Sequence, residues 1–255
     1  MNKKEKEKKP IFRSKIKASV LKGVTEIMSP LVGEAKFSIT PKGISINAVD
    51  PAHVALARVE VKSDSFEEYH ADESDLGVDI HKLNGVLKLA SADDTISLEY
   101  DEHKNMLVIT IGNLMRSMSL IDVEGMPDAK MPEIDLPAKV VLVAGELSKA
   151  VRASEMISDH IVLTTDKDKF ILYAEGDTDT VDLTLTKDLL VKLKSADKCR
   201  SLFSIDYLST MIKPAKDADH ITLMLGNDKP LYMEFDFADK KGHVVYMLAP
   251  RVGSE

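Results

Sequence analysis

The chain is short of the features that mark an enzyme. It has no glycine-rich phosphate loop, no HExxH pair and no GxSxG elbow. Its seven histidines are scattered, with none spaced as a metal-ligand pair, so neither a metal nor another cofactor is expected. Asp93-Asp94 and Glu67-Glu68 are adjacent carboxylates. Neighbours on a strand point to opposite faces, which makes them poor acid–base partners. A single cysteine, Cys199, excludes an internal disulfide and suits a reducing compartment. No apolar run approaches the roughly 20 residues of a membrane span, and no secretory signal is visible. Positive charge is in deficit: the net charge is −8, which argues against nucleic acid as a ligand when taken as an average. Charges more than about 10 Å apart in 0.1 M salt barely interact, however, so a local basic surface is compatible with an acidic protein.

What the chain does have is a repeat. Ile80–Leu98 (IHKLNGVLKLASADDTISL) aligns without a gap with Ile205–Leu223 (IDYLSTMIKPAKDADHITL), 125 positions further on. Two copies at that spacing read as duplicated domains rather than a solenoid. Each copy begins with helical periodicity. Ile80, Leu83, Val86, Leu87 and Ala90 share one side, and His81, Asn84, Lys88 and Ser91 the other. Ile205, Leu208, Met211 and Ile212 repeat the apolar side, opposite Asp206, Ser209 and Lys213. Each then switches to strand alternation, at Thr95–Tyr100 and His220–Leu225. With 255 residues, 44% of them apolar, two globular domains near 125 residues each can bury their own cores.

Met1–Pro10 is a charged, low-complexity stretch expected to be a solvated tail. Ile11–Ala18 reads as a strand, and Ser19 is expected to cap a helix running to Ser29. Strands follow at Ala35–Thr40, Ile44–Ala48, His53–Val61 and Ser65–Ala71, then an acidic loop over Asp72–Asp79. After the first repeat helix come Lys104–Ile111 and Met115–Ile121. Asp122–Pro137, with three prolines and five acidic residues, reads as a connector between domains 11–121 and 138–255. The second half offers strands at Lys139–Ala144, His160–Thr165, Lys169–Ala174, Thr178–Leu185, Cys199–Ser204, Leu231–Asp236 and His243–Leu248, with a helix over Gly145–Ile157. Each half therefore holds two helices and many antiparallel strands, an α+β class.

Every short helix carries an outward cation: Lys22, Lys88, Lys149 with Arg152, and Lys213, with Lys17 just before the first. Singly, each is an ordinary solvated residue. Recurring across a repeat, they would form one basic surface if the helices of both halves line one side of a joined sheet. Such a surface meets phosphates without reading bases. A long antiparallel sheet also leaves two edges to be covered or paired. Pairing between unlike edges of successive copies is head-to-tail and closes into rings.

Four stretches resemble the proliferating cell nuclear antigen type of DNA sliding clamp. They are Gly43–Val59 (GISINAVDPAHVALARV), Tyr69–Lys88, Leu120–Glu124 (LIDVE) and Gly242–Val252 (GHVVYMLAPRV). The similarity runs from Ile11 to Val252, and the archaeal branch fits best. Where the family has Arg-Cys in the second stretch, this chain has His70-Ala71. The resemblance implies a non-enzymatic ring of three subunits around duplex DNA, helices inward and sheets outward. It implies DNA contacts at Lys17, Lys22, Lys88, Lys149, Arg152 and Lys213.

The resemblance also implies a pocket for short hydrophobic peptides of a clamp loader, DNA polymerase, flap nuclease and ligase. Its positions are Val49, His53, Val54, Leu56, Met126, Pro230, Met247, Leu248, Ala249, Pro250 and Val252. Plain core packing suits Val54 and Leu56 equally well. The resemblance further implies subunit contacts on Met115–Ile121 (Met115, Met118, Leu120) and Thr178–Leu185 (Thr180, Asp182, Leu183). A location on the nucleoid in the cytoplasm follows, or in the nucleus of a eukaryote. The alternative is a nonspecific DNA-binding module of the same class that does not encircle.

Overall fold

A computed structural model describes residues 12–126 and 129–251; the charged stretch ending at Pro10, together with Ile11 and Val252, lies outside them. The first half runs β1 (Phe12–Lys17), α1 (Ala18–Met28), β2 (Glu34–Thr40), β3 (Gly43–Val49), β4 (Ala55–Lys62), β5 (Glu68–Ala71), β6 (Ser74–Asp79), α2 (Ile80–Leu87), β7 (Thr95–Asp101), β8 (Met106–Ile111) and β9 (Leu114–Ser119). The second half repeats that order as β10 (Ala138–Val143), α3 (Ala144–Glu155), β11 (His160–Thr165), β12 (Lys169–Glu175), β13 (Thr180–Thr186), β14 (Lys192–Ser195), β15 (Cys199–Ser204), α4 (Ile205–Ile212), β16 (His220–Leu225), β17 (Leu231–Phe237) and β18 (Gly242–Leu248). Element by element the halves correspond: β1 to β10, β4 to β13, β9 to β18. The duplication legible in one helix–strand unit extends over the whole described chain.

The pairing follows the same logic. A five-stranded sheet has the order β5-β1-β7-β8-β9, and a four-stranded sheet the order β13-β12-β11-β15. Between them lies a nine-stranded sheet, β14-β10-β16-β17-β18-β4-β3-β2-β6, in which both halves meet. The joint is the antiparallel pair β18–β4, in register from His243↔Glu60 to Leu248↔Ala55. Strand alternation points Ala55, Ala57, Val59 and Val61 inward and leaves Leu56, Arg58, Glu60 and Lys62 on the other face. The inward set belongs to one apolar core, along with the buried stripes of all four helices. α1 packs against α2, and α3 against α4.

Some expectations change. Ser19 does not cap α1: the helix starts at Ala18, with Lys17 in the cap position and no side-chain cap. The free first-turn amides are satisfied from elsewhere, since Ala18 N donates to Asp94 O at 2.8 Å and Ser19 N to Ala92 O at 3.0 Å. α2 is capped locally, by the Asp79 carboxylate accepting from Lys82 N at 2.8 Å. The acidic stretch Asp72–Asp79 is no loop over its second part. Leu76 and Val78 alternate into the core, and β6 pairs with β2 from Glu34↔Asp79 to Ile39↔Ser74. β14 is a further strand, short and lysine-rich, whose KLKS sequence carries little apolar signal.

The halves also meet through one aromatic ring. Phe237, at the end of β17, lies over Gly23 of α1 and against Gly242. A Cβ on Gly23 would stand 2.5 Å from the ring, and one on Gly242 2.1 Å. Held on both sides, the ring has little room to yield. Gly23→Ala is expected to lower stability by about 1–3 kcal/mol through overpacking. Chemical denaturation at fixed chain concentration measures it, and Phe237→Leu in the same background should recover part of the loss. An unchanged midpoint would show that the joint is looser than this.

Candidate nucleic-acid interface and partner site

On the helix side, two clefts collect the predicted cations. One, of about 480 Å³, is lined by Lys22 and Glu26 of α1, Asn84 and Lys88 at the end of α2, and Thr210 and Lys213 at the end of α4. The other, of about 300 Å³, is lined by Arg152 and Glu155 of α3 with Ser209 of α4 and Lys213 just beyond it. Lys213 belongs to both clefts, so Lys22, Lys88, Lys213 and Arg152 follow one another along one helical face that crosses the joint. Lys149 lies on the exposed side of α3, outside both clefts, and pairs with Glu146 at 3.3 Å.

Two of the cations are tethered. Lys22 Nζ donates to Ala90 O at 2.5 Å, just beyond the C-terminus of α2, where unpaired carbonyls and the helix dipole favour a positive group. Lys17 Nζ donates to Asp93 O at 2.9 Å and lies 3.6 Å from Glu67. Two acids share the clefts: Glu26, 4.0 Å from Lys216 across the halves, and Glu155. Helical periodicity places Glu26 on the outward face of the first helix with Lys22, and Glu155 on that of the third with Arg152, and the clefts hold them together.

The opposite face of the nine-stranded sheet carries a transverse apolar row. Val49 pairs with Leu56, Leu56 with Met247, Met247 with Tyr232, and Tyr232 with Met224. Three of the predicted pocket residues thus share one row. Leu248 does not join them: alternation turns it to the core, where it is 1% exposed, against 5% for Met247 on the outer face. Its truncation would remove core packing, at about 2–5 kcal/mol, rather than a pocket wall.

Beside the row stand the half-buried Pro230, Ala249 and Pro250. Ala249 N donates to Val54 O at 2.8 Å, binding the chain after β18 to the β3–β4 loop. The connector leaves the β6 edge, where Ile121 N donates to Gly77 O at 2.8 Å, and arrives beside the β16–β17 loop, where Lys229 Nζ donates to Asp135 O at 2.9 Å. Met126 lies part-way along it, half-buried.

Sequence reasoning missed what shapes the β3–β4 loop. Asp50 is 5% exposed, and its carboxylate accepts from Val54 N (2.8 Å), Ala55 N (2.6 Å), Ala52 N (3.1 Å) and the Tyr207 hydroxyl (2.9 Å). The loop wraps this carboxylate and turns His53 to a left-handed φ of 56°. The dipeptide Asp50-Pro51 was the available signal, since aspartate before proline initiates turns by bonding the amides that follow. Burial pushes the Asp50 pKa up, but the hydrogen bonds from Ala55, Tyr207, Val54 and Ala52 outweigh it and leave the pKa lowered.

The predicted subunit strands divide. Met115 on β9 is 68% exposed, and Leu120 after it is half-buried. Met118 turns inward at 4% exposed, so only its backbone is available at that edge, not its side chain. On β13, Thr180 and Asp182 are exposed and Leu183 is packed partly against the core. Among the described residues, β9 and β13 are both sheet edges.

Residues 12–136 match the model of the proliferating cell nuclear antigen N-terminal domain, and residues 130–251 that of its C-terminal domain. The chain belongs to the proliferating cell nuclear antigen family. It is 42% identical over 246 residues to the DNA polymerase sliding clamp of Methanosarcina mazei, covering 96% of this chain and all of that one. To the DNA polymerase sliding clamp of Halobacterium salinarum it is 39% identical over 247 residues, with the same coverage. Among solved structures it is similar to A. fulgidus PCNA bound to the C-terminal region of FEN-1, with a TM-score of 0.92 and 34% identity over 96% of this chain and all of that one. The α+β clamp fold and the archaeal affinity expected from sequence are those of these relatives.

Asp50→Asn tests the loop. Replacing a four-bonded buried carboxylate leaves amide donors facing an amide, and should cost about 1–3 kcal/mol at pH 7. The pKa of Asp50 is lowered in the fold, so its stabilisation is full above the ordinary aspartate pKa and is lost as pH falls through the lowered value. The variant's unfolding free energy should therefore decline less steeply on acidification than the wild type's. Parallel decline in the two would show that the carboxylate contributes nothing.

Proposed function

We propose that this chain is a sliding clamp that encircles duplex DNA and tethers the enzymes that work on it, without catalysis of its own. One observation carries the ring. The joint inside each chain is β18 against β4, and the counterparts of those strands in the other half are β9 and β13. Both counterparts are unpaired edges among the described residues. Pairing β9 of one copy with β13 of the next would repeat the internal joint between chains. The contact is head-to-tail, so it closes when the rotation per copy allows, and three copies would present six similar units. Met115, Leu120, Thr180, Asp182 and Leu183 are the side chains suited to that contact.

The helix face then becomes the bore. Lys22, Lys88, Lys213 and Arg152 would meet phosphates along it, with Lys17 and Lys149 at its margins. Contacts of this kind are screened and carry no sequence information, as a sliding ring requires. The net charge of −8 would repel DNA from the remaining surface.

The outer apolar row, the β3–β4 loop and the chain after β18 form the site for partner peptides, as supported by the relative that binds the C-terminal region of FEN-1. Methionine at Met126 and Met247 adapts to varied side chains, which suits a site serving a polymerase, a clamp loader, a nuclease and a ligase in turn. The place of action is the nucleoid.

Light scattering at micromolar concentration should give three times the chain mass. Clamps loaded on circular DNA should be retained and should escape when the circle is cut. Tight, steeply salt-dependent binding to short linear duplex by a monomer would instead favour a module that does not encircle. For the partner site, Leu56→Ala with Met126→Ala should weaken a labelled FEN-1 C-terminal peptide roughly tenfold or more, as expected when anchoring apolar contacts are removed, and leave the trimer intact. Unchanged peptide affinity would move the site elsewhere.

A further inference from the structure

We propose that Tyr207 is a positioning residue for the partner peptide, acting through Asp50 from the opposite side of the sheet. The inference rests on the outer-face site being where peptides bind. Tyr207 is on α4, whose Ser209 and Thr210, with Lys213 just after its last turn, line the helix-side clefts. Its ring packs partly against the core, and its hydroxyl donates to Asp50 Oδ2 at 2.9 Å, 157 residues away in sequence.

The other three donors to Asp50 come from the loop itself, at Ala52, Val54 and Ala55. Those bonds set the loop's internal shape. They do not set where the loop sits against the second half, which supplies the facing wall at Met247, Ala249 and Pro230. The β18–β4 ladder fixes the strands only as far as Ala55↔Leu248; beyond it two hydrogen bonds hold the loop, Ala249 N to Val54 O at its end and Tyr207 to Asp50 at its beginning. Together they hold the two walls at a fixed spacing before any peptide arrives, which removes an ordering cost from binding. A tyrosine hydroxyl is protonated at neutral pH in any case, and the bond to the carboxylate raises its pKa further.

The test uses full-length trimers of wild type, Tyr207→Phe, Asp50→Asn and the double variant, with a fluorescent synthetic peptide of the FEN-1 C-terminal region as probe. Removing one hydroxyl keeps the ring and should weaken the peptide roughly 3- to 10-fold, in line with one hydrogen bond. The loss should appear mainly as faster dissociation. The double variant should bind no worse than Asp50→Asn alone, because both changes cut one route. Affinity unchanged in Tyr207→Phe, with or without a lower melting midpoint, would overturn the proposal, as would losses that add in full. The Leu56→Ala/Met126→Ala variant separates the two readings. If it weakens the peptide and Tyr207→Phe does not, only the positioning role fails. If neither does, the site itself has been misplaced.

Discussion

The backbone ladder between β18 and β4 is the constraint on which the rest of the structure depends. It makes two homologous halves into one nine-stranded sheet, and it fixes the order in which their helices follow one another on the inner side. Because the ladder is antiparallel and in register across Ala55–Glu60, it also decides which residues of the two halves meet on the outer side. Leu56 faces Met247 there, and each belongs to a different half. A slip by one residue would exchange Met247 for Leu248 and turn the apolar row into the core. The same register therefore serves the cationic face, the apolar face and the core between them.

How much of this could be read from the sequence depended on the kind of signal. Periodicity found the helices and most strands because each buries one face, and the repeat found the two-domain plan because its helix–strand unit kept its spacing. The outward cations followed from the same wheel. The failures have local causes. Ser19 has the chemistry of a cap, but α1 draws its first-turn acceptors from Ala92 and Asp94, which are close only in three dimensions. β6 was hidden by acidic residues on its outward positions, although Leu76 and Val78 alternate correctly. Met118 and Leu248 were given to surfaces because motif position does not say which way a strand residue points. Strand parity from their neighbours would have settled both.

The least legible part was the wiring between the faces. Asp50 and Tyr207 lie far apart in the chain, and neither type is unusual where it stands. Only the fold brings a phenol from an inner helix to a carboxylate inside an outer loop. Buried polar groups of this sort are expensive unless every acceptor is filled, and Asp50 is filled four times over. A loop built around such a group is held by geometry that no local pattern encodes.

The tethering of Lys17 and Lys22 bears on how a ring would move. Both ammonium groups rest on backbone carbonyls, which narrows the choice of rotamers for these long side chains. A phosphate drifting past them need not order a waving arm, and on leaving it releases none. With Glu26 and Glu155 set among the cations to flatten the potential, the track would offer low friction: attraction spread along the path, with no deep resting place on it.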